Sequence, residues 1–171
     1  GEPVRVLGTA VTSASWRVFT LRDHLWHRRD FSGKLAAIRF VDSEAARPPA
    51  GAKAQNWGSA TRGLFETGPC SLLHINSTTD EQARWLLQED PEYLMTYPTV
   101  VHALARHFER EGLKLNRLRE VRSFGEILEP HVREACRRAW NVPVVDTYSS
   151  EEFGYLALQC PEHDCYHIQA E

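Results

Sequence analysis

The sequence predicts an α/β fold: a mostly parallel sheet with helices on both faces and a closing β-hairpin near the C-terminus. Three observations lead there. From residue 71 onward, short strand-like runs alternate with amphipathic helical stretches, the rhythm of right-handed parallel crossovers. The helical stretches begin and end at local signals, Thr78 and Thr79, Pro98, Gly112 and Pro130, which cap or break a helix. Finally, 171 residues that are 42% hydrophobic suffice for one domain burying roughly 70% of its unfolded surface.

Taken in order, residues 4–7 read as a short strand ended by Gly8. Thr12 and Ser13 offer N-caps to an amphipathic helix over 14–29, and Trp16, Phe19, Leu25 and Trp26 fall near helical spacing, as core-packing residues would. After Ser32-Gly33, residues 35–40 read as a buried strand. Residues 42–69 are rich in Ala, Gly and Pro with little periodicity. An irregular excursion of that length is either a functional loop or the home of short elements that the pattern hides.

The regular part follows. Residues 71–76 are a strand, and Thr78/Thr79 cap a helix from Asp80 to Glu89. Residues 93–96 are a strand; the Tyr97-Pro98-Thr99 break then starts a helix that runs to Glu111 and stops at Gly112. Residues 118–123 are a strand followed by Gly125, Pro130 opens a helix to Trp140, and 142–146 is a strand. Residues 155–159 and 166–170 pair as the closing hairpin. No internal repeat or low-complexity tract interrupts the pattern.

Charge excludes some classes. Against 20 basic residues stand 23 acidic ones, a net of −3, so no phosphate-tracking surface for nucleic acid is expected. No apolar run approaches the ~20 residues that span a bilayer, and the start lacks a charged-then-apolar leader, so a cytoplasmic protein without a membrane partner is expected. The chain has no initiator Met and stops just after a strand-like run. It reads as a piece of a longer polypeptide, one partial domain over 1–171. Oligomer formation is compatible with this reading.

In open parallel sheets, ligands sit beyond the carboxyl ends of the strands. Two such ends are chemically loaded. One is Arg122-Ser123-Phe124-Gly125-Glu126, where Gly125 lets backbone approach a flat ring. The other is Asp146-Thr147-Tyr148-Ser149-Ser150-Glu151-Glu152-Phe153-Gly154, where Tyr148 can stack on a ring. There Thr147, Ser149 and Ser150 offer hydroxyls to phosphate oxygens, and a nearby carboxylate can hold Mg²⁺. On spacing alone, routine Ser- and Gly-containing turns are the commoner reading.

Four stretches in order add a resemblance: Tyr97-Pro98-Thr99 before a helix, Leu113-Lys114-Leu115 before a strand, Ser123-Phe124-Gly125-Glu126-Ile127-Leu128, and Asp146 to Gly154. With them, residues 97–154 resemble the adenylate-forming acyl/aryl-CoA ligase superfamily, especially its phenylacetate–CoA ligase and capsule-biosynthesis branch. The third stretch is similar to that family's Ser-x-Gly-Glu-x-Leu turn, and the fourth to its Asp-x-Tyr-Gly-x-Thr-Glu-x-Gly signature. Gly1-Glu2-Pro3-Val4 looks like the tail of the family's phosphate loop, whose body would lie upstream.

The resemblance implies an activity in two half-reactions. A carboxylic acid attacks the α-phosphate of ATP, giving an acyl-adenylate and pyrophosphate; a thiol such as coenzyme A then takes the acyl group and releases AMP. It implies that Ser123, Phe124, Gly125 and Glu126, with Tyr148, sandwich adenine, and that Asp146, Thr147 and Ser149 belong to the nucleotide-binding set. Ser150 would sit near the phosphates and Glu152 would bind Mg²⁺. Ser149 departs from the family pattern where Gly is usual, and Glu151 where Thr is usual. Without the main phosphate loop and the small C-terminal domain with its lysine, this piece is expected not to turn over alone. The structural alternative for Glu152 is a helix-first-turn carboxylate stabilised by the macrodipole.

A separate cluster closes the chain. Cys160, His163, Cys165 and His167 fall within eight positions; on an extended strand 163, 165 and 167 share a face, and Cys160 can fold back across Pro161. Two thiolates and two imidazoles make a neutral tetrahedral Zn²⁺ set, which would be structural. A hairpin disulfide, disfavoured in a reducing compartment, and plain surface residues are the alternatives. Elsewhere, Cys70 and Cys136 lack motif context, and His102 and His107 do not share a helical face. His74 reads as a structural histidine more readily than as part of an acyl pocket, and Trp57 and Arg62 are candidates to cover the carboxylate substrate.

Two functional classes therefore stand: the nucleotide-binding part of a ligase, or a non-catalytic ligase-like or zinc-stapled module that binds a nucleotide or a partner. A dinucleotide-binding oxidoreductase is disfavoured, because no Gly-x-Gly-x-x-Gly follows a strand.

Overall fold

The computed structural model describes residues 7–150 and 152–169. Its helices are α1 (Ala10–Trp26), α2 (Thr79–Glu89), α3 (Pro98–Glu111) and α4 (Pro130–Trp140). Its strands are β1 (Leu35–Arg39), β2 (Ala52–Ala54), β3 (Cys70–His74), β4 (Tyr93–Thr96), β5 (Glu120–Phe124), β6 (Val144–Ser150), β7 (Gly154–Gln159) and β8 (Tyr166–Ile168). Together the strands form one sheet in the order β2-β3-β1-β4-β5-β6-β7-β8. The run from β3 to β6 is parallel, while β2 on one edge and β7 and β8 on the other are antiparallel.

Local chemistry sets the helix bounds. Thr78 accepts from the Glu81 N–H while Glu81 reaches back to the Thr78 N–H, a capping box that starts α2. Pro98 and Pro130 open α3 and α4, where a missing N–H costs nothing, and Gly112 and Asn141 end them in the left-handed region. Helix α1 differs from the expected 14–29. Thr9, not Thr12 or Ser13, is its N-cap, and Thr12 closes the box from inside the first turn.

Strand alternation sorts the two faces. Ala36, Ile38, Leu73, Leu94, Val121 and Val144 point to one side, where α2, α3 and α4 cover them with Trp85, Leu86, Leu104 and Phe108. On the other side α1 lies over β7, with Phe19 against Tyr155 and Leu158. Helices thus occupy both faces, as predicted. Of the residues assigned to the core of α1, Phe19 is buried, but Trp16 and Leu25 are 46% and 49% exposed.

A buried charge cluster fixes α1 to β5. Asp23 Oδ2 accepts from Arg29 Nη1 at 2.7 Å and from Arg122 Nη2 at 2.6 Å, and Arg29 Nε donates to Glu120 Oε1 at 2.6 Å. Burial pushes the Asp23 carboxyl up, but Arg122 and Arg29 outweigh it and hold it at about 2. Beside them, burial first and then the same two guanidiniums push His24 well below the usual histidine range.

The excursion over 42–69 contains a 3-10 turn at Glu44–Ala46 and edge strand β2, paired antiparallel to β3. Gly51, at φ +65°, passes so close to β3 that a Cβ there would lie 2.6 Å from the Leu72 carbonyl oxygen. The expected strand over 118–123 begins at Glu120, and that over 142–146 begins at Val144 and continues to Ser150. Pairing of Ser149 and Ser150 with Tyr155 and Gly154, across a bulge after Tyr148, extends β6. The strand expected over 166–170 ends at Ile168. Of the strand expected over 4–7, Leu7 is not in a strand and the rest lies outside the described residues, as do Gly1 to Val4 and Glu151. Among the described residues no helix is long and apolar enough to cross a membrane.

Candidate functional site

Parallel register brings the two loaded strand ends together. Thr96 stands opposite Ser123, Ser123 opposite Asp146, and Phe124 opposite Thr147. The Ser123 hydroxyl donates to Asp146 Oδ1 at 2.6 Å, and the Tyr166 hydroxyl, reaching across β7 from β8, donates to Asp146 Oδ2 at 2.7 Å. Both carboxylate oxygens of Asp146 are therefore held by the protein. Burial and then Asp146 push the Tyr166 hydroxyl up to about 12, which keeps it a donor.

Above this pair the chain turns at Gly125, φ +77°, where a Cβ would lie 3.1 Å from Tyr97 Cε1. Tyr97 and Phe124 pack ring to ring at 4.7 Å. Glu126 spans to the start of α3, accepting from the Thr99 N–H at 2.9 Å and the Thr99 hydroxyl at 3.0 Å. Its carboxylate thus caps α3, which lacks a side-chain cap of its own at Tyr97. On β6, Tyr148 is 61% exposed and follows Thr147, which stands opposite Phe124, the residue before Gly125.

The β6–β7 turn carries the remaining residues. Ser150 Oγ accepts from the Phe153 N–H at 3.1 Å, and Glu152 and Phe153 project at the tip. Residues 152 and 153 form a turn, so the helix-first-turn alternative for Glu152 does not apply. Glu152 has no ion-pair partner among the described residues. With Thr12, Trp16, Gly154 and Gln169 it lines a cleft of about 760 Å³ under the N-terminal end of α1. A smaller cavity of about 140 Å³ opens at the carboxyl ends of β4, β5 and β6, walled by Trp16, Arg39, Met95, Phe124, Thr147, Ser149 and Tyr155.

Several of these residues carried no sequence expectation as site residues. Arg39 had a signal, a cation closing an apolar strand. Trp16, Tyr155 and Tyr166 had none: Trp16 meets Tyr155 from the far end of the chain, while Tyr155 and Tyr166 are placed by the antiparallel pairing of β7 and β8. Trp57 is tied into the scaffold: its indole N–H donates to the Gly33 carbonyl at 2.9 Å, and its ring packs on His24, Phe31 and Tyr93. His74 serves its own turn, with Nδ1 accepting from the Asn76 N–H at 3.0 Å.

A larger cleft, about 780 Å³, lies at the opposite, amino edge of β5 and β6, between Arg28, Glu120, Arg137 and Cys160. Size does not make it the site, since open parallel sheets bind ligands at the carboxyl edge. Next to it, donor atoms of Cys160, Cys165 and His167 converge within 4.8 Å, and His163 Nδ1 lies 3.7 Å from Cys160 Sγ. Hydrogen bonds from His167, the Glu162 backbone and His163 pull the Cys160 thiol down to about 6.

No family profile matches the chain, and no curated protein matches it by sequence. Its fold does match solved structures. It is similar to the anthranilate CoA ligase AuaEII in complex with anthranoyl-AMP, with a TM-score of 0.61 at 14% identity over 86% of this chain and 27% of that one. It is similar to 2-hydroxyisobutyryl-CoA ligase in complex with 2-HIB-AMP and CoA, with a TM-score of 0.57 at 17% identity over 88% and 36%. A benzoate CoA ligase from Burkholderia xenovorans LB400 gives 0.58 at 12% identity over 91% and 32%. The likeness is one of fold, and the chain spans about a third of each of these proteins.

Proposed function

We propose that this chain is the central nucleotide-binding part of an adenylate-forming ligase. The parent would activate an aryl or acyl carboxylic acid with ATP and pass it to a thiol such as coenzyme A, within the phenylacetate–CoA ligase and capsule-biosynthesis branch. One observation carries the reading: the Gly125 turn, exposed Tyr148 and the Ser150–Gly154 turn meet at adjacent carboxyl ends of a sheet shared with acyl-AMP-binding ligases.

In this reading the Gly125 backbone and the Tyr148 ring flank adenine, and Glu126 holds the turn by capping α3 at Thr99. Ser123 and Asp146 do not touch the nucleotide through their hydrogen-bonded oxygens; they lock the ends of β5 and β6 from which the turns spring. Ser150 orients the β6–β7 turn through the Phe153 N–H and faces the phosphates. The donor set suits Mg²⁺, a hard cation that takes carboxylate and phosphate oxygens, because Glu152 is exposed and unpaired among the described residues. Bound there, Mg²⁺ would neutralise charge developing on the phosphates. The protein's own contribution is positioning of the two reactants. Residues from elsewhere in the parent complete the site, so the piece alone does not turn over.

The test is protection of the full-length parent against thermal unfolding by ATP with and without Mg²⁺. Mg²⁺-dependent protection, lost in Glu152→Gln, supports the reading; no protection by ATP in a folded parent removes it. A second reading, a nucleotide-binding module without turnover, draws on the internal engagement of both Asp146 and Glu126. It predicts protection without chemistry.

A further inference from the structure

Strand β8 has little apolar burial to hold it. Tyr166, His167 and Ile168 are all exposed, and so is the loop from Pro161 to Cys165 that leads into it. A three-residue edge strand of this kind is marginal on its own. What the loop supplies instead is ligand atoms. One donor each from Cys160, Cys165 and His167 lies within 4.8 Å of the others. His163 enters from inside the loop, with Nδ1 3.7 Å from Cys160 Sγ.

The backbone brings these donors together. The Cys160 N–H donates to the Cys165 carbonyl at 2.8 Å, and the Cys165 N–H donates to the His163 carbonyl at 2.9 Å, folding the loop back on itself. Tetrahedral zinc with two sulfur and two nitrogen ligands needs donor–donor edges of about 3.4–3.8 Å. The His163–Cys160 edge already has that length, and an edge at the 4.8 Å limit within the Cys160–Cys165–His167 group needs to close by about 1 Å. His163, which stands outside that mutual group, swings in from Cys160 to complete the set.

We infer that Cys160, His163, Cys165 and His167 form a structural zinc site that staples β8 to β7. Two thiolates and two neutral imidazoles balance the Zn²⁺ charge, and any thiol proton passes to solvent on binding. Four protein ligands leave no position for a substrate, and the site lies at the amino edge of the parallel strands, away from the turns at Gly125 and Glu152. Its influence reaches the core through Tyr166, which sits between two ligands in sequence and donates to buried Asp146 at 2.7 Å. The metal thereby holds the Tyr166–Asp146–Ser123 chain in place. The inference stands on the hairpin alone and is independent of the ligase reading.

The test is metal content of the full-length protein purified under reducing conditions, by mass spectrometry, with a cobalt-substituted sample read by absorption. One zinc equivalent is expected that Cys160→Ser and Cys165→Ser each lose. Thiolate-to-cobalt charge transfer with the intense visible bands of tetrahedral cobalt is expected in the wild-type protein. Because a variant that fails to fold also loses metal, the wild-type cobalt spectrum is the arm that needs no substitution. Chelation is expected to lower Tm in wild type and to leave a folded Cys165→Ser unchanged. The inference is overturned if the reduced protein binds neither added Zn²⁺ nor Co²⁺, or if the cobalt spectrum lacks thiolate charge transfer. Full zinc retention by a folded Cys165→Ser, or a Cys160–Cys165 disulfide in place of metal, overturns it equally.

Discussion

Ser123 on β5 and Asp146 on β6 face each other in register and are joined by a 2.6 Å hydrogen bond from the serine hydroxyl to Oδ1. The contact is buried, and Tyr166 occupies the other oxygen. Asp146, the first residue of the signature-like stretch, thus ties β5, β6 and β8 together two residues before Tyr148.

Removing a donor from that carboxylate leaves a buried oxygen unpaired. Tyr166→Phe is expected to cost about 1–2 kcal/mol in chemical denaturation, and Ser123→Ala a similar amount. An unchanged midpoint in both would show that solvent satisfies Asp146 instead.

The Asp23 cluster behaves differently. Asp23→Ala leaves the buried guanidiniums of Arg29 and Arg122 without their shared anion, so a loss of about 3–5 kcal/mol is expected. Equilibrium unfolding of the variant measures this directly. A loss below about 1 kcal/mol would mean that Glu120 alone compensates both arginines.

The same cluster sets a pH dependence. His24 and His27 have folded pKa values below the unfolded histidine value, His24 chiefly through burial and then Arg122 and Arg29, His27 chiefly through burial and then Arg29. The unfolded chain therefore binds protons first as pH falls through about 6.5, and the native state loses stability from there downward. Asp23, held at about 2, withdraws its own contribution only at lower pH, below the unfolded carboxylate range. His24→Gln, which keeps an acceptor for Arg29, is expected to flatten the slope of stability between about pH 6.5 and 5. An unaltered slope would assign it to other groups.

Two substitutions separate scaffold from nucleotide contact. Tyr148→Ala removes an exposed side chain and is expected to change stability by less than about 0.5 kcal/mol while weakening ATP binding to the parent about tenfold. Gly125→Ala places a Cβ at φ +77° against Tyr97 and is expected to cost about 1 kcal/mol as well as nucleotide affinity. Calorimetric titration and thermal melts of both variants provide the comparison. Equal ATP affinity in Tyr148→Ala would remove the stacking role.

Legibility followed the range of the interactions. Helices α3 and α4 were readable to the residue at Pro98, Gly112 and Pro130, because caps are decided within a few positions. So was the Cys/His cluster, whose members are close in sequence. Strand β2 was not, since three residues show no period and their strand character comes from pairing with β3. The extension of β6 to Ser150 was hidden for the same reason: polar residues became strand only by pairing across the turn with β7. Arg122 meets Asp23 99 positions away. Nothing local to either residue announces that contact, and a comparable separation hid the approach of Trp16 to Tyr155. Tyr166 was hidden because its reach to Asp146 depends on the pairing of β8 with β7.

The decisive measurement is ATP–pyrophosphate exchange by the full-length parent across a panel of aryl and fatty acids, with Glu152→Gln as the paired variant. Acid-dependent exchange that falls by orders of magnitude in Glu152→Gln, with the variant folded, is the predicted result, and the responding acid names the substrate class. Exchange that persists undiminished in Glu152→Gln, or a folded parent that neither exchanges with any acid nor binds ATP, would contradict the assignment of this sheet edge to adenylate formation.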